Sequence, residues 1–587
     1  MHIKYFYLII CINFPSLLCF NIFPGRKNVY LVPRNAKENE IKNRKLKSSF
    51  VDAEYASKNT NGSFIITTPL FYINGDPHLG HSYTVVFADV IKRFLELKGN
   101  DVKLLVGTDE HGSKIERRSK LFNQDPADYV SEYRSKFLNM FNAYDISSDI
   151  SIHTDEEKNK LFVRQIFKIL LKRGFIYRGI HKGYFSPKED LYFPQSQVSD
   201  GKSPQGFDVI PVNEPAYFFK LSSWRKKLTE FFIEHKTSVV PETRYSEIMK
   251  ILESELPDVA ITRRNYTWGV KIPCVCDITP PVDCAIHGSS NYGITETFYV
   301  WFDAFLGYLS GILSLSDENI DQILNDMTNK ITNEIHRKSV LIQVIGKDIL
   351  TFHSFLWPAI LFSLGIQPFD KFYIHGWILC KGEKMSKSYG SVTPAMPLHS
   401  SDISRFMLMT LGQFGNDFEF HSSNFRQSEN TVRNTFAAAC YRVTGLLNIR
   451  WNGKIEFPGK YYGNILDTLG SDQDILEGYI TTGRVDRYME HLETMAIKIN
   501  KFLTLNKVWK LRPEEQNFKD IIWTACSSLL CLAVHTLPIM PKLARTIISR
   551  LNPELNDTPI DQNKLRFAVL DSLERINYSP VHGEPLI

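Results

Sequence analysis

The sequence predicts an α/β protein: a parallel sheet domain split by an insertion and followed by an all-α bundle. Three observations predict it. An apolar β-rich run, a helical repeat and a second apolar run follow one another from residue 64, a second β/α stretch begins after residue 291, and from about residue 416 the pattern is helical throughout. Strand–helix–strand order favours parallel pairing, because the intervening helix carries the chain back to the starting edge of the sheet.

Residues 1–50 stand apart as a leader. Lys4 precedes an apolar run from Tyr5 to Phe20, which has the length of a signal-peptide core and is shorter than a membrane span. The stretch from Arg26 to Lys47 is rich in Asn and Lys, poor in acids and without apolar periodicity, so disorder is expected there. A hydrophobic signal followed by a basic segment resembles the two-part address of a secondary plastid such as an apicoplast, with a mitochondrial presequence as the alternative. No membrane association is expected once the leader is removed. The leader holds nine Lys/Arg against Glu38 and Glu40, a charge of +7, so the net +5 of the 587-residue chain leaves −2 for the remainder. Global basicity therefore gives no argument for nucleic-acid binding, which has to come from local patches.

The elements follow in order. Residues 62–175 form the first half of the sheet domain. In it, Phe64 to Phe71 suits a buried parallel strand, and Gly80 opens a helix with apolar residues at Tyr83, Phe87, Val90, Phe94 and Leu97 that stops at Gly99. Lys103 to Asp109 reads as the next strand. Residues 176–290 are short, polar, loop-rich pieces, an insertion. Residues 291–415 resume the sheet with strands at Thr297 to Phe302 and Val340 to Gly346, an apolar helix from Ile349 to Leu364, and a strand from Phe372 to Cys380. Residues 416–587 form the helical end. The order is that of a Rossmann-like domain, whose ligands bind at the carboxyl edge of the strands.

Two motifs fall on that edge. His78-Leu-Gly-His81 sits where the first strand turns into the first helix, where free amides favour phosphate, Gly80 permits close approach and two imidazoles can donate to phosphate oxygens. Lys384-Met-Ser-Lys-Ser388 follows the last sheet strand in a loop flanked by Gly382 and Gly390. Lysines in such a loop can close over a triphosphate and neutralise charge as pyrophosphate leaves. No Ser/His/Asp or Cys/His constellation stands out.

The pair resembles the HIGH and KMSKS signatures of class I aminoacyl-tRNA synthetases. The segments between them resemble the methionyl-tRNA synthetase family: Thr68-Pro-Leu-Phe-Tyr-Ile-Asn-Gly75, Gly107-Thr-Asp-Glu-His-Gly112, Tyr299-Val-Trp-Phe-Asp-Ala304, Gly346-Lys-Asp-Ile-Leu-Thr-Phe-His353 and His375-Gly-Trp377. The resemblance implies a connective insertion, an anticodon-binding bundle, and a ligase that joins methionine to AMP with Mg²⁺-ATP and then passes it to the 3′ end of tRNA(Met). It implies catalytic roles for His78, His81, Lys384 and Lys387. It implies an ATP site at Gly80, His81, Gly346, Lys347, Asp348, His375 and Lys387. The L-methionine site implied is Leu70, Tyr72, Asp109, Arg263, Trp301, Ala304, Phe305, Tyr308, Ile349 and His353, with Arg263 pairing with or orienting Asp109. Phe305 stands where other members have proline. Asp109 supplies the carboxylate that an α-ammonium group requires, and aromatic rings suit a polarizable thioether.

Arg442 and Trp509 resemble the family's anticodon readers, Arg442 by a base edge unless its guanidinium pairs with a neighbouring helix, and Trp509 by stacking. Ala438 replaces the asparagine of relatives. With no appended oligonucleotide-binding barrel, a monomer is expected. The insertion lacks the Cys-x-x-Cys knuckles of many relatives, and Cys274, Cys276 and Cys284 with His287 are wrongly spaced for one, so no zinc is expected. Seven cysteines outside the leader, an odd number in a large chain, point to reduced thiols. Only 303 positions separate His81 from Lys384, too few for the large editing domain of the leucine, isoleucine and valine enzymes. Intact signatures argue against a catalytically dead tRNA-binding protein, and the long helical end against a small nucleotidyltransferase.

Overall fold

The computed structural model describes residues 63–551 apart from 189–190, 194, 265, 279–295, 316–338, 381, 385–394, 398–399, 452–453, 457–460, 464, 466–472 and 513, and beyond these the strand Arg575–Asn577. Strand β1 (Ser63–Tyr72), helix α1 (Leu79–Leu97) and strand β2 (Asp101–Asp109) open it, followed by α2 (Ser113–Leu121), α3 (Pro126–Ala143), β3 (Ile150–His153) and α4 (Glu157–Lys172). Apolar residues on both faces of β1 and β2 bury each strand on two sides, as parallel strands require. Gly107 is needed on β2 because a Cβ there would lie 2.1 Å from the Ile152 carbonyl oxygen of β3.

The insertion is more regular than its composition predicts. Strands β4 (Ile176–Ser186), β5 (Leu191–Phe193), β6 (Ile210–Phe219) and β8 (Val259–Ala260) make an antiparallel sheet, with β4 and β6 paired from Ile176↔Phe219 to Phe185↔Ile210. The middle of β4 is only partly buried, so its apolar signal is diluted by Arg178, His181 and Lys182. Between β6 and β8 lie α5 (Arg225–Glu234), strand β7 (Val239–Val240) and α6 (Glu242–Leu252). The two-residue β7 leaves the insertion and joins the edge of the main sheet.

After β9 (Thr262–Arg263) and β10 (Thr297–Phe298), helix α7 (Val300–Leu313) begins. The strand expected over Thr297 to Phe302 is thus two residues of strand turning at Tyr299 into a helix, because the segment is apolar on every side and periodicity cannot separate a buried strand from a buried helix. Strand β11 (Ser339–Gly346), helix α8 (Trp357–Leu364), strand β12 (Lys371–His375) and strand β13 (Ile378–Cys380) follow. A π-turn over Phe352–Leu356 precedes α8. The expected strand Phe372 to Cys380 is cut at Gly376, where a Cβ would lie 2.0 Å from the Asn416 carbonyl oxygen. The main sheet is six-stranded, in the order β3-β2-β1-β11-β12-β7, with every pairing parallel.

The chain then runs through β14 (Glu383–Lys384), α9 (Ser401–Thr410), β15 (Phe418–Glu419), α10 (Ser423–Thr431), α11 (Ala438–Trp451), α12 (Gln473–Thr481), α13 (Val485–Leu505), α14 (Gln516–Thr536) and α15 (Pro541–Leu551). Helix α14 is long and apolar enough to cross a membrane by composition, but most of its surface is buried inside the bundle. The bundle and the α1 side of the sheet share one apolar core, so the helical end is packed onto the catalytic half.

Candidate active site at the carboxyl edge of the sheet

His78 caps α1 from extended backbone. Its amide donates to His81 Nδ1 at 3.1 Å, and the two rings stack 3.7 Å apart at 17°. Gly80 leaves the approach open, since a Cβ there would press on the His78 ring at 3.0 Å. Phe71 and Phe137 hold the His81 ring from the other side, at centroid distances of 5.3 and 5.1 Å. Ser82, one residue on, donates to the Ala395 carbonyl oxygen at 3.0 Å, so the helix start is fastened to a residue that follows the Lys384-Met-Ser-Lys-Ser388 motif in the chain. Lys384 ends β14, paired with Leu379. Lys387 lies outside the described residues.

The expected nucleotide residues come from the next two strands. Gly346 ends β11 beside His375 of β12, and a Cβ on it would meet Asp348 Oδ1 at 2.7 Å. His375 Nδ1 lies 2.7 Å from the Gly376 carbonyl oxygen and Nε2 lies 2.8 Å from Thr84 Oγ1. Burial holds the His375 pKa below its ordinary value, so a neutral ring donating from Nδ1 fits both contacts. Lys347 is tied to Asp417 at 2.7 Å and lies 3.9 Å from the centroid of the Trp377 ring. It can meet a nucleotide only by sharing or leaving those contacts.

The expected methionine residues converge on the ends of β1 and β2 and on α7 and the π-turn. Leu70 pairs with Gly107 and Tyr72 with Asp109. The Leu70 amide donates to Tyr308 Oη at 3.3 Å, the Tyr308 hydroxyl lies 3.1 Å from His353 Nε2, and His353 Nδ1 lies 3.0 Å from the Ile349 carbonyl oxygen. Burial lowers His353 to about 4, so the ring is neutral and its Nδ1–H donates to Ile349. Trp301 stacks on Phe352 at 4.3 Å and stands edge-on to His353 at 5.9 Å. Phe305 meets His353 edge-on at 5.0 Å and stacks against Trp357, so the ring in the place of proline joins this aromatic wall. Ala304 is buried beside it on α7.

Asp109 is the acidic element of this group. Its Oδ1 is buried with no hydrogen-bond partner. Burial holds its carboxyl well above the usual carboxylate range, the Asp303 charge raises it further and His111 pulls it back. The partner expected for it is elsewhere. The Arg263 guanidinium donates to the Ala260 and Thr262 carbonyl oxygens at 2.7 Å and lies 4.0 Å from the ring centroids of Tyr192 and Tyr299. The proposed pairing of Arg263 with Asp109 is therefore corrected. β9 carries the arginine toward the insertion, where cation–π contacts hold it.

The sequence reading missed what lies behind Asp109: His111 between Asp303 and Asp155, and Glu110 clasped by Arg134. The available signal was the acidic run Asp109-Glu110 followed by His111, three polar residues at the end of a strand that is otherwise apolar.

In the bundle, Arg442 is not free. Its Nη1 donates to the Asn500 carbonyl oxygen and Oδ1 at 3.0 Å each, and its Nη2 to Thr504 Oγ1 at 2.9 Å, so the neighbouring-helix pairing left open by the sequence is present. Trp509 stands 51% exposed on a short turn after Lys507. Among the described residues no group of three or more His, Cys, Asp or Glu could hold a metal ion. Cys284 and His287 lie outside them. Purified protein is expected to carry no stoichiometric zinc. Metal analysis finding about one zinc per chain, lost on Cys274→Ser with Cys276→Ser, would overturn this.

Residues 64–209 and 205–444 match the family profile described as tRNA synthetases class I (M). The chain is 30% identical over 506 residues to the methionine–tRNA ligase of Rickettsia conorii, covering 84% of this chain and 93% of that one. It is 29% identical over 543 residues to that of Thermotoga maritima, covering 89% of this chain and 80% of the other. The fold is similar to the solved structure of Mycobacterium tuberculosis methionyl-tRNA synthetase in complex with methionyl-adenylate, at a TM-score of 0.76 and 26% identity over 89% of this chain and 99% of that one.

Proposed function

The chain belongs to the methionyl branch of the class I tRNA synthetases, and from that premise we propose that it catalyses the methionine–tRNA ligase reaction at the site just described. L-Methionine and ATP give methionyl-adenylate and pyrophosphate, and the methionyl group then passes to the terminal ribose of tRNA. One observation carries the amino-acid half. Asp109 is a buried carboxylate with an open oxygen, set against the ring wall of Trp301, Phe305, Tyr308 and His353. The carboxylate suits an α-ammonium group, and the rings suit a thioether. Asp109 holds the ammonium while the methionine carboxylate attacks the α-phosphorus. His78 and His81 at the start of α1, with Lys387, stabilise charge as pyrophosphate leaves. Magnesium enters with ATP as part of that substrate.

The test is ATP/pyrophosphate exchange across the twenty amino acids with protein lacking residues 1–50. Methionine is expected as the best substrate, and a better exchange with any other would sink the reading.

The leader supports an organellar address of the plastid type, tested by fusing residues 1–50 to a fluorescent reporter. Reporter in mitochondria would favour the alternative. The bundle is proposed to read the anticodon as a monomer, with Trp509 as the stacking face. Stacking of a base on an aromatic ring is worth roughly 1–3 kcal/mol. Trp509→Ala should therefore lower kcat/KM for tRNA aminoacylation by about one to two powers of ten and leave ATP/pyrophosphate exchange intact. Unchanged discrimination between cognate and anticodon-swapped transcripts would place recognition elsewhere.

A further inference from the structure

We propose that His111 is a positioning residue of this site: clamped between Asp303 and Asp155, it offsets the Asp303 charge and leaves Asp109 free to carry the negative charge that the methionine ammonium group pairs with. The inference rests on the methionine-activating reading above.

Geometry sets the protonation state. His111 Nδ1 lies 2.5 Å from Asp303 Oδ2 and Nε2 lies 3.2 Å from Asp155 Oδ1. A neutral imidazole has one N–H and can donate to only one of two carboxylates, whereas the imidazolium donates to both. Burial alone pulls the ring down, but the two carboxylates prevail and push it up to about 10. The His111 backbone amide also bonds the Asp109 side chain, so one residue serves both carboxylates.

Charge pairing around the site then leaves one vacancy. Glu110 is held by Arg134 from α3, with Nε 2.7 Å from Oε1, and His153 lies 3.5 Å from the same oxygen. Asp155 has Lys160 from α4 at 2.6 Å. Asp303, on α7, has the neutral Asn159 at 3.4 Å and His111. Tyr308 faces Asp109 and stays protonated, and Trp268 closes over His111 edge-on at 6.0 Å. Glu110, Asp155 and Asp303 each thus have a partner cation in place, Arg134, Lys160 and His111 in turn. The unmatched carboxylate is Asp109, and the cation it lacks is the one that the substrate brings. Without His111, Asp303 and Asp109 would face each other as uncompensated charges, and the cheapest relief is a proton on Asp109, which abolishes the ammonium contact.

The test is methionine-dependent ATP/pyrophosphate exchange by the full chain between pH 5.5 and 9. His111→Gln should raise the methionine KM about tenfold at pH 7 with a smaller change in kcat, and should move the acid limb of kcat/KM upward by about one unit, the shift equivalent to a tenfold change. His111→Gln with Asp303→Asn removes both charges and should return KM most of the way. Asp303→Asn alone keeps the imidazole and should move the acid limb downward, which gives an independent reading if the histidine variant folds poorly. In wild type, methionine should outcompete its des-amino analogue 4-(methylthio)butanoate, and His111→Gln should narrow that preference. An acid limb unmoved in both single variants, or no recovery in the double, would overturn the proposal and leave the function standing. Wild-type protein inactive with methionine would instead sink the function itself.

Discussion

Asp109→Asn should lower kcat/KM for methionine in ATP/pyrophosphate exchange by about two to three powers of ten, with the methionine KM carrying a large part of the loss. The size follows from the environment. Removing one partner of a buried charge pair costs about 2–5 kcal/mol, because the other charge is left uncompensated, and here the other charge is the substrate's ammonium. Asparagine keeps the shape but loses the charge and turns one acceptor oxygen into an NH2 donor. The pH behaviour follows from the raised carboxyl of Asp109. Protonated, it stabilises the empty fold, and that contribution is lost as pH rises through its raised pKa. Methionine needs the ionised form, so its binding should weaken as pH falls through the same value. In Asp109→Asn that acid limb should vanish. Lys387→Ala is expected to behave differently, depressing kcat with a modest change in methionine KM, because it acts as pyrophosphate departs. The same pattern in both mutants would contradict the assigned roles.

Arg405→Met should be the most destabilising substitution among those considered, at about 3–5 kcal/mol, the usual cost of breaking one side of a buried ion pair. Arg405, on α9, is fully buried. It donates to the carbonyl oxygens of Ile539, Tyr144 and Pro538 at 2.7, 3.1 and 2.8 Å, and lies 2.6 Å from Asp89 Oδ2. Asp89 stands on α1, the helix that begins at the two signature histidines, and is also bound by Arg93 at 2.7 Å. One side chain therefore joins the phosphate-edge helix, the end of α3 and the turn before α15. Methionine fills the volume but leaves three carbonyl groups without their donor and Asp89 with one of its two cations removed. The urea midpoint for loss of exchange activity should fall sharply. The double substitution Arg405→Met with Asp89→Asn should cost less than the two singles together, since both singles break the same Arg405–Asp89 contact. A midpoint close to wild type would show that the junction holds without this link.

The sequence by itself determined the parallel sheet, because the strands at residues 64–71 and 103–109 are apolar runs interrupted by one strongly periodic helix, a pattern with few competing folds. It also placed His78 where the first strand turns into the first helix, at the carboxyl edge of the sheet, whereas Lys384 proved to lie on β14 in a separate three-stranded sheet. It was ambiguous where an element is buried all round, as in α7, and where a strand is only partly buried and the apolar signal thin, as in β4. It was silent on partners. Local pattern marked Arg263, Arg442 and Asp109 as charged residues of interest, but which charge meets which depends on elements far apart in the chain, as with Arg442 and Asn500 at 58 positions and His111 and Asp303 at 192. Tertiary structure alone sent Arg263 between two tyrosine rings, tied Arg442 to Asn500 and Thr504, and brought Asp303 onto His111 across 192 positions. Buried charges must find compensation or lose their charge, and that requirement is satisfied only when distant elements pack, which is why the open carboxylate at Asp109 could be located in the sequence but understood only in the fold.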